Sequence, residues 1–172
     1  LAIFNGKASG ERPVHDDLGE PVAMDRLSPD QQLAAILRFS ALPGTSRHHW
    51  GTDLDVYDAV AAGSAYQVQL TPAEVAPGGL FDAFHCWLDD CIEAGESEGF
   101  FRPYNVDRGG VAPERWHLSY APVSRRCAAP DADRLSALWR ETGLLLLDAA
   151  EAQLEQLLER YVVIPEDWCP GE

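Results

Sequence analysis

Ser46-Arg47-His48-His49-Trp50-Gly51-Thr52-Asp53-Leu54-Asp55 is the stretch on which this chain turns, and Glu114-Arg115-Trp116-His117 answers it further along. Gly51 permits a tight bend, and Thr52 to Tyr57 alternates in the manner of a strand, which places Asp53 and Asp55 on one face. Trp116 to Tyr120 reads as a second strand, with His117 on the sheet and Glu114 at its mouth. His48, Asp55 and His117 then supply two imidazoles and a carboxylate, a donor set that suits a catalytic zinc and leaves one position for water. Glu114 offers a second carboxylate, suited to take the proton of that water and pass it to a leaving amine without touching the metal. His49 is adjacent to His48 and points elsewhere if the segment is extended.

Working outward, Leu1 to Ala8 reads as the end of a helix, and Ser9 to Met24, rich in Gly, Pro and acids, as a long loop able to form a flap or rim. Ser28-Pro29-Asp30 supplies an N-cap, a first-turn proline and a first-turn acid for a helix bearing Leu33, Ile36 and Leu37. That helix is expected to stop near Leu42, ahead of Pro43-Gly44. Gln67 to Leu70 alternates like a strand, and Thr71-Pro72-Ala73-Glu74 is a capping-box start. Helical period returns from Leu80 to Glu96, Phe100 to Tyr104 reads as extended, and Asp131–Leu147 and Asp148–Tyr161 read as two helical stretches. Leu154, Leu157, Leu158 and Tyr161 form a stripe suited to core packing. No internal repeat is present, and helices interspersed with a few strands indicate an α+β fold.

With 172 residues, 46% of them hydrophobic, the chain is long enough for one ordinary core, so residues 1–172 are expected to form one domain. Twenty-eight acidic residues against 13 basic ones give a formal charge of -15, a field that repels nucleic acid and anionic membrane surfaces. The most apolar run, Leu144 to Ala150, is too short for a bilayer span and is interrupted by Asp148. Cys86, Cys91, Cys127 and Cys169 match neither a paired C-x-x-C zinc site nor a dense disulfide framework, and read as free thiols. Leu1 comes first and Met24 is the single methionine, which leads to the expectation that a preceding stretch, where a signal peptide would lie, is missing here.

Ser46, His48, Gly51 and Asp55 fit the pattern S-x-H-x-x-G-x-x-x-D, and Glu114 with Trp116-His117 fits E-x-W-H. With Pro113 to Pro122 (PERWHLSYAP), these residues make the chain resemble the zinc D-alanyl-D-alanine carboxypeptidases and dipeptidases of peptidase family M15, the group that includes the vancomycin-resistance D,D-peptidases. The similarity runs from the start to about Pro122. It implies an α+β, hedgehog/DD-peptidase-like fold: a single domain with a small central antiparallel sheet flanked by helices. It further implies zinc held by His48, Asp55 and His117, Glu114 as general base, the D-Ala-D-Ala end of a peptidoglycan stem peptide as substrate, and the bacterial cell envelope (periplasm) as compartment.

Two departures stand out. Relatives commonly carry a small residue where this chain has Asp53, which could orient His48 or His117, contact substrate, or be solvated at a strand end. Relatives also carry an arginine upstream of the helix that Leu1 to Ala8 resembles, worth about 3 to 4 kcal/mol if it stabilises an oxyanion. A molecule beginning at Leu1 is therefore expected to bind zinc yet turn over poorly. Arg47, Arg102 and Arg115 are the nearby alternatives, though Arg47 and Arg115 read equally well as outward-facing. Ser46 could hydrogen-bond substrate or cap its own turn, and Trp50 and Trp116 read as pocket wall or core. His85 and Cys86 lack a further ligand at metal spacing. A zinc D,D-carboxypeptidase leads. A dipeptidase or murein endopeptidase is a close variant, and a catalytically silent zinc module that recognises wall peptides or a protein partner is the rival.

Overall fold

Side-chain caps set four of the described helix starts, at Ser28, Asp58, Thr71 and Asp131. The computed structural model describes residues 1–164. Its helices are α1 (Ala2–Ala8), α2 (Pro29–Leu37), α3 (Ala59–Ala62), α4 (Pro72–Val75), α5 (Asp82–Glu93), α6 (Ala121–Ser124), α7 (Ala132–Thr142), α8 (Leu147–Ala152) and α9 (Leu154–Tyr161). The strands are β1 (Asp53–Asp55), β2 (Phe100–Phe101) and β3 (His117–Tyr120), and short 3-10 turns lie at Met24–Arg26 and Arg47–Trp50. Helices beside one small antiparallel sheet make the fold α+β. None of the described helices is long and apolar enough to cross a membrane. The chain groups into two compact units: one built from Leu1–His49, Asp107–Ala112 and Ala128–Val163, the other mainly from Trp50–Val106 and Pro113–Cys127.

The first unit is helical. Ser28 Oγ accepts from the Gln31 backbone N–H at 3.3 Å while Gln31 Oε1 accepts from the Ser28 N–H at 2.9 Å, a complete capping box that starts α2. Leu33, Ile36 and Leu37 are buried, and α2 packs on α1 and α8. The helix ends at Leu37, short of Leu42, because the Arg38 carbonyl accepts from the Ala112 N–H at 2.9 Å instead of continuing the ladder. Asp131 caps α7 by accepting from the Arg134 N–H, and Gly143, at φ 71°, ends it in the left-handed conformation that lacks a Cβ penalty. That break divides the stretch expected to run helical to Leu147, and a second break at Gln153 separates α8 from α9. Trp139 is 0% exposed and donates its indole N–H to the Pro43 carbonyl at 2.8 Å. Leu154, Leu157 and Leu158 are buried, the core role their spacing indicated. Within Ser9 to Met24, His15 and Pro21 form an isolated antiparallel bridge around a turn in which Asp16 accepts from the Leu18 and Glu20 N–H groups.

The second unit carries the sheet, in the order β1-β3-β2 with all pairs antiparallel. Its hydrophobic cluster is Val75, Phe81 and Trp116, with Ala62, Val68 and Leu70 packed against it, so Trp116 is core rather than pocket wall. Gln67 to Leu70 is not a strand. The Glu74 carboxylate accepts from the backbone N–H groups of Gln69 and Thr71, each at 2.9 Å, and from the Tyr66 hydroxyl at 2.8 Å, so a side chain takes the place of a sheet partner. Leu70 adopts φ 54°, which also breaks an extended run. The expected capping box at Thr71 does form and starts α4. Cys86, Cys91 and Cys127 are free thiols, and Cys169 lies outside the described residues.

Candidate metal centre

The Arg47–Trp50 segment is a 3-10 turn rather than an extended run, closed by the His49 N–H donating to the Ser46 carbonyl at 3.0 Å. Gly51, at φ 72°, then reverses the chain directly into β1, which glycine does without strain. The β1–β3 register sets Asp53 opposite Ser119 and Asp55 opposite His117. Since side chains two apart on a strand share a face, both aspartates reach the same imidazole. His117 Nε2 lies 3.1 Å from Asp53 Oδ1, and His117 Nδ1 lies 3.4 Å from both Asp55 Oδ1 and Glu114 Oε2. Glu114 is held by its N–H donating to the Tyr104 carbonyl at 3.0 Å and its carbonyl accepting from the His117 N–H at 3.1 Å. The Tyr104 ring stands edge-on to the His117 ring, centroids 4.9 Å apart.

His48, Asp55 and His117 each present one donor atom, all within 4.8 Å of one another. His48 and Asp55 are exposed and His117 is buried, so the group opens toward solvent on one side. Donors around a tetrahedral zinc at about 2.1 Å stand roughly 3.4 Å apart, so the three lie within modest side-chain adjustment of that arrangement. Two nitrogens and a carboxylate oxygen also form a set that zinc favours. The residues present fit the ion.

Asp53 explains the ring orientation. Its carboxylate is 0% exposed and accepts from the Ser119 hydroxyl at 2.9 Å and the Thr52 hydroxyl at 2.8 Å as well as facing His117 Nε2. With the Nε2 proton given to Asp53, the lone pair of a neutral His117 sits on Nδ1, the nitrogen that faces Asp55 and Glu114. The buried Asp53 carboxylate is not solvated at a strand end, and its contact with His117 is the one expected of an orienting residue. Burial pushes the His117 imidazole down, but hydrogen bonds to Asp53 and Glu114 and their charges outweigh it and push it up to about 9.

Other residues sit differently from their sequence-based expectation. Arg47 is buried, not outward-facing. Arg115 is also drawn inward, and its guanidinium donates to Asp89 and Asp82, to the Val75 carbonyl and to Cys86 Sγ. Cys86 is thereby engaged with Arg115, and His85 is 0% exposed with its imidazole pushed down to about 4 by burial and by Arg102 and Arg115. Ser119, which sequence reasoning passed over, lies two residues beyond His117 and so shares its face, a strand-period signal that was legible.

A family model described as VanY, D-alanyl-D-alanine carboxypeptidase, matches residues 2–123. The chain belongs to the VanY family. VanY proteins fall within the M15 peptidases of the vancomycin-resistance type, and the match takes in both the Ser46–Asp55 and the Glu114–His117 segments. Membership indicates a peptidase of the D-alanyl-D-alanine carboxypeptidase kind. An uncharacterized protein of Haemophilus influenzae is 28% identical over 123 residues, covering 71% of this chain and 93% of that protein. A second uncharacterized protein of the same organism is 50% identical over 40 residues, 23% of this chain and 27% of that protein. No solved structure matches the chain significantly.

Proposed function

We propose that the chain is a zinc-dependent D,D-carboxypeptidase that hydrolyses the D-Ala-D-Ala terminus of peptidoglycan stem peptides. His48, Asp55 and His117 would hold the ion, and the observation that supports this most strongly is their convergence within 4.8 Å. Zinc bound there supplies Lewis acidity toward the scissile carbonyl and the attacking water. Glu114 takes a proton from that water, and returns it to the amine of the terminal D-Ala as the C–N bond breaks. Its Oε2 lies 3.4 Å from the same His117 nitrogen that faces Asp55, so the base and the candidate ligands share one side of the ring. Asp53 keeps His117 turned so that Nδ1 faces this site. Ser46, which opens the turn carrying His48, is assigned a hydrogen bond to the substrate.

The test is release of D-Ala from a stem pentapeptide by the zinc-loaded protein, beside the same assay on free D-Ala-D-Ala and on cross-linked muropeptide. Glu114→Ala should keep close to one zinc per chain and lose hydrolysis by about 10²- to 10⁴-fold, the span of general acid–base catalysis. No D-Ala from any of the three substrates would reject the assignment.

A further inference from the structure

Arg115 lies between Glu114 and Trp116-His117, and all five of its N–H donors are engaged. Nε and Nη2 donate to Asp89 Oδ2 at 3.0 and 2.7 Å, Nη1 to Asp82 Oδ1 at 2.9 Å and to the Val75 carbonyl at 2.7 Å, and Nη2 to Cys86 Sγ at 3.3 Å. Asp82, Cys86 and Asp89 are spaced four and three apart along α5, one stripe of that helix. The guanidinium therefore lies along a helix face rather than toward the candidate metal centre, and it has no donor left for a substrate oxyanion. Asp89 grips a second segment as well. Its Oδ1 accepts from Arg102 Nε at 2.8 Å, and Arg102 directly follows β2, which pairs with β3 through Phe101 and Ser119.

One carboxylate on α5 thus ties down both the Glu114–His117 turn and the strand beside β3. On its other side the turn is fixed by the pairing of His117 with Asp55. Released from α5, the Arg115 peptide would be held only through its neighbours, by the Glu114 N–H bond to the Tyr104 carbonyl and the packing of Trp116, and the Glu114 carboxylate would be freer to leave its 3.4 Å relation to His117 Nδ1. We propose that Asp89, acting through Arg115, is a positioning residue that sets the Glu114 carboxylate against the candidate metal centre. The proposal rests on Glu114 being the base.

The experiment uses the whole chain with Asp89→Asn, which preserves shape and removes the charge, and Arg115→Lys, which cannot span Asp82, Cys86 and Asp89 together. Either variant should lower kcat for a D-Ala-D-Ala peptide by about 10- to 100-fold, the effect of a misplacement near 1 Å, with zinc content and KM little changed. The two together should cost no more than either alone, and Asp89→Asn should lower the rate no further in a Glu114→Ala background. Asp90→Asn, on the exposed face of α5, should behave as wild type. A purely structural role would move thermal stability and leave kcat per folded molecule unchanged, and that result overturns the proposal. Amide hydrogen exchange on metal-free protein provides a readout independent of activity: Asp89→Asn should speed exchange at 115–117 selectively. In protein that hydrolyses no peptide, faster exchange there supports the anchoring and unchanged exchange refutes it, so the two assignments fail separately.

Discussion

Replacing Asp53 by Asn tests how the chain prepares His117 for a metal. The substitution keeps shape and removes the charge from a carboxylate that is 0% exposed and bonded to His117, Ser119 and Thr52. The two hydroxyls can rotate to suit an amide. That places the amide nitrogen beside the hydroxyls and the amide oxygen opposite Nε2, so the ring keeps its tautomer but donates to a neutral oxygen instead of a carboxylate, and Nδ1, where Asp55 and Glu114 converge, becomes a poorer donor to a metal. Loss of such a carboxylate partner typically weakens zinc binding by about 10- to 100-fold, or about 1.4 to 2.7 kcal/mol. An opposing effect operates at neutral pH. With its pKa pushed up to about 9, His117 in the metal-free protein must lose a proton before it can ligate, and at pH 7 this weakens binding by about 100-fold. Asp53 is one cause of that elevation, so Asp53→Asn also relieves part of the proton competition. The two effects separate with pH. Chelator-competition measurements should show the full loss near pH 9, where the competition has nearly gone, and a smaller loss at pH 7. Wild-type affinity at pH 9 in a folded variant would refute the role given to Asp53.

Three other outcomes follow from the same geometry. The folded, metal-free pKa of His117, about 9, lies above the unfolded value of 6.5; its stabilising contribution is complete below 6.5 and is lost as pH rises through about 9. Thermal melts of chelator-treated protein should show this decline, and zinc-loaded protein should not. Trp139→Phe removes the donor to the half-buried Pro43 carbonyl and should cost about 1 to 3 kcal/mol in urea unfolding; an unchanged midpoint would contradict it. Glu74→Gln leaves at most one carbonyl acceptor for the Gln69 and Thr71 N–H groups and the Tyr66 hydroxyl, and should cost about 1 to 3 kcal/mol by the same measurement.

Local chemistry was legible in the sequence and distant pairing was not. The caps at Ser28 and Thr71 act within three residues and are readable from spacing alone. His117 and Asp55 were placed on strands by two-residue alternation, and that alternation put Asp53 on the face it occupies. Its burial was not predictable, because it depends on the register that sets Ser119 and His117 across from β1. Arg115 could be read as a site arginine or as outward-facing, and neither reading found its partners, because Asp82 and Asp89 lie on a helix remote in sequence. Gln67 to Leu70 has strand alternation but loses its backbone donors to the Glu74 carboxylate, a competition invisible to a periodicity argument. α2 stops early for a similar reason, since the Arg38 carbonyl finds its partner at Ala112.

Anomalous scattering at the zinc edge, from crystals grown with zinc, locates the ion among its ligands. The account predicts one strong site about 2.0 to 2.2 Å from a single donor atom of each of His48, Asp55 and His117, with Glu114 beside it and not bound. Zinc absent from that position, or the two imidazoles turned apart in zinc-replete crystals, would contradict it.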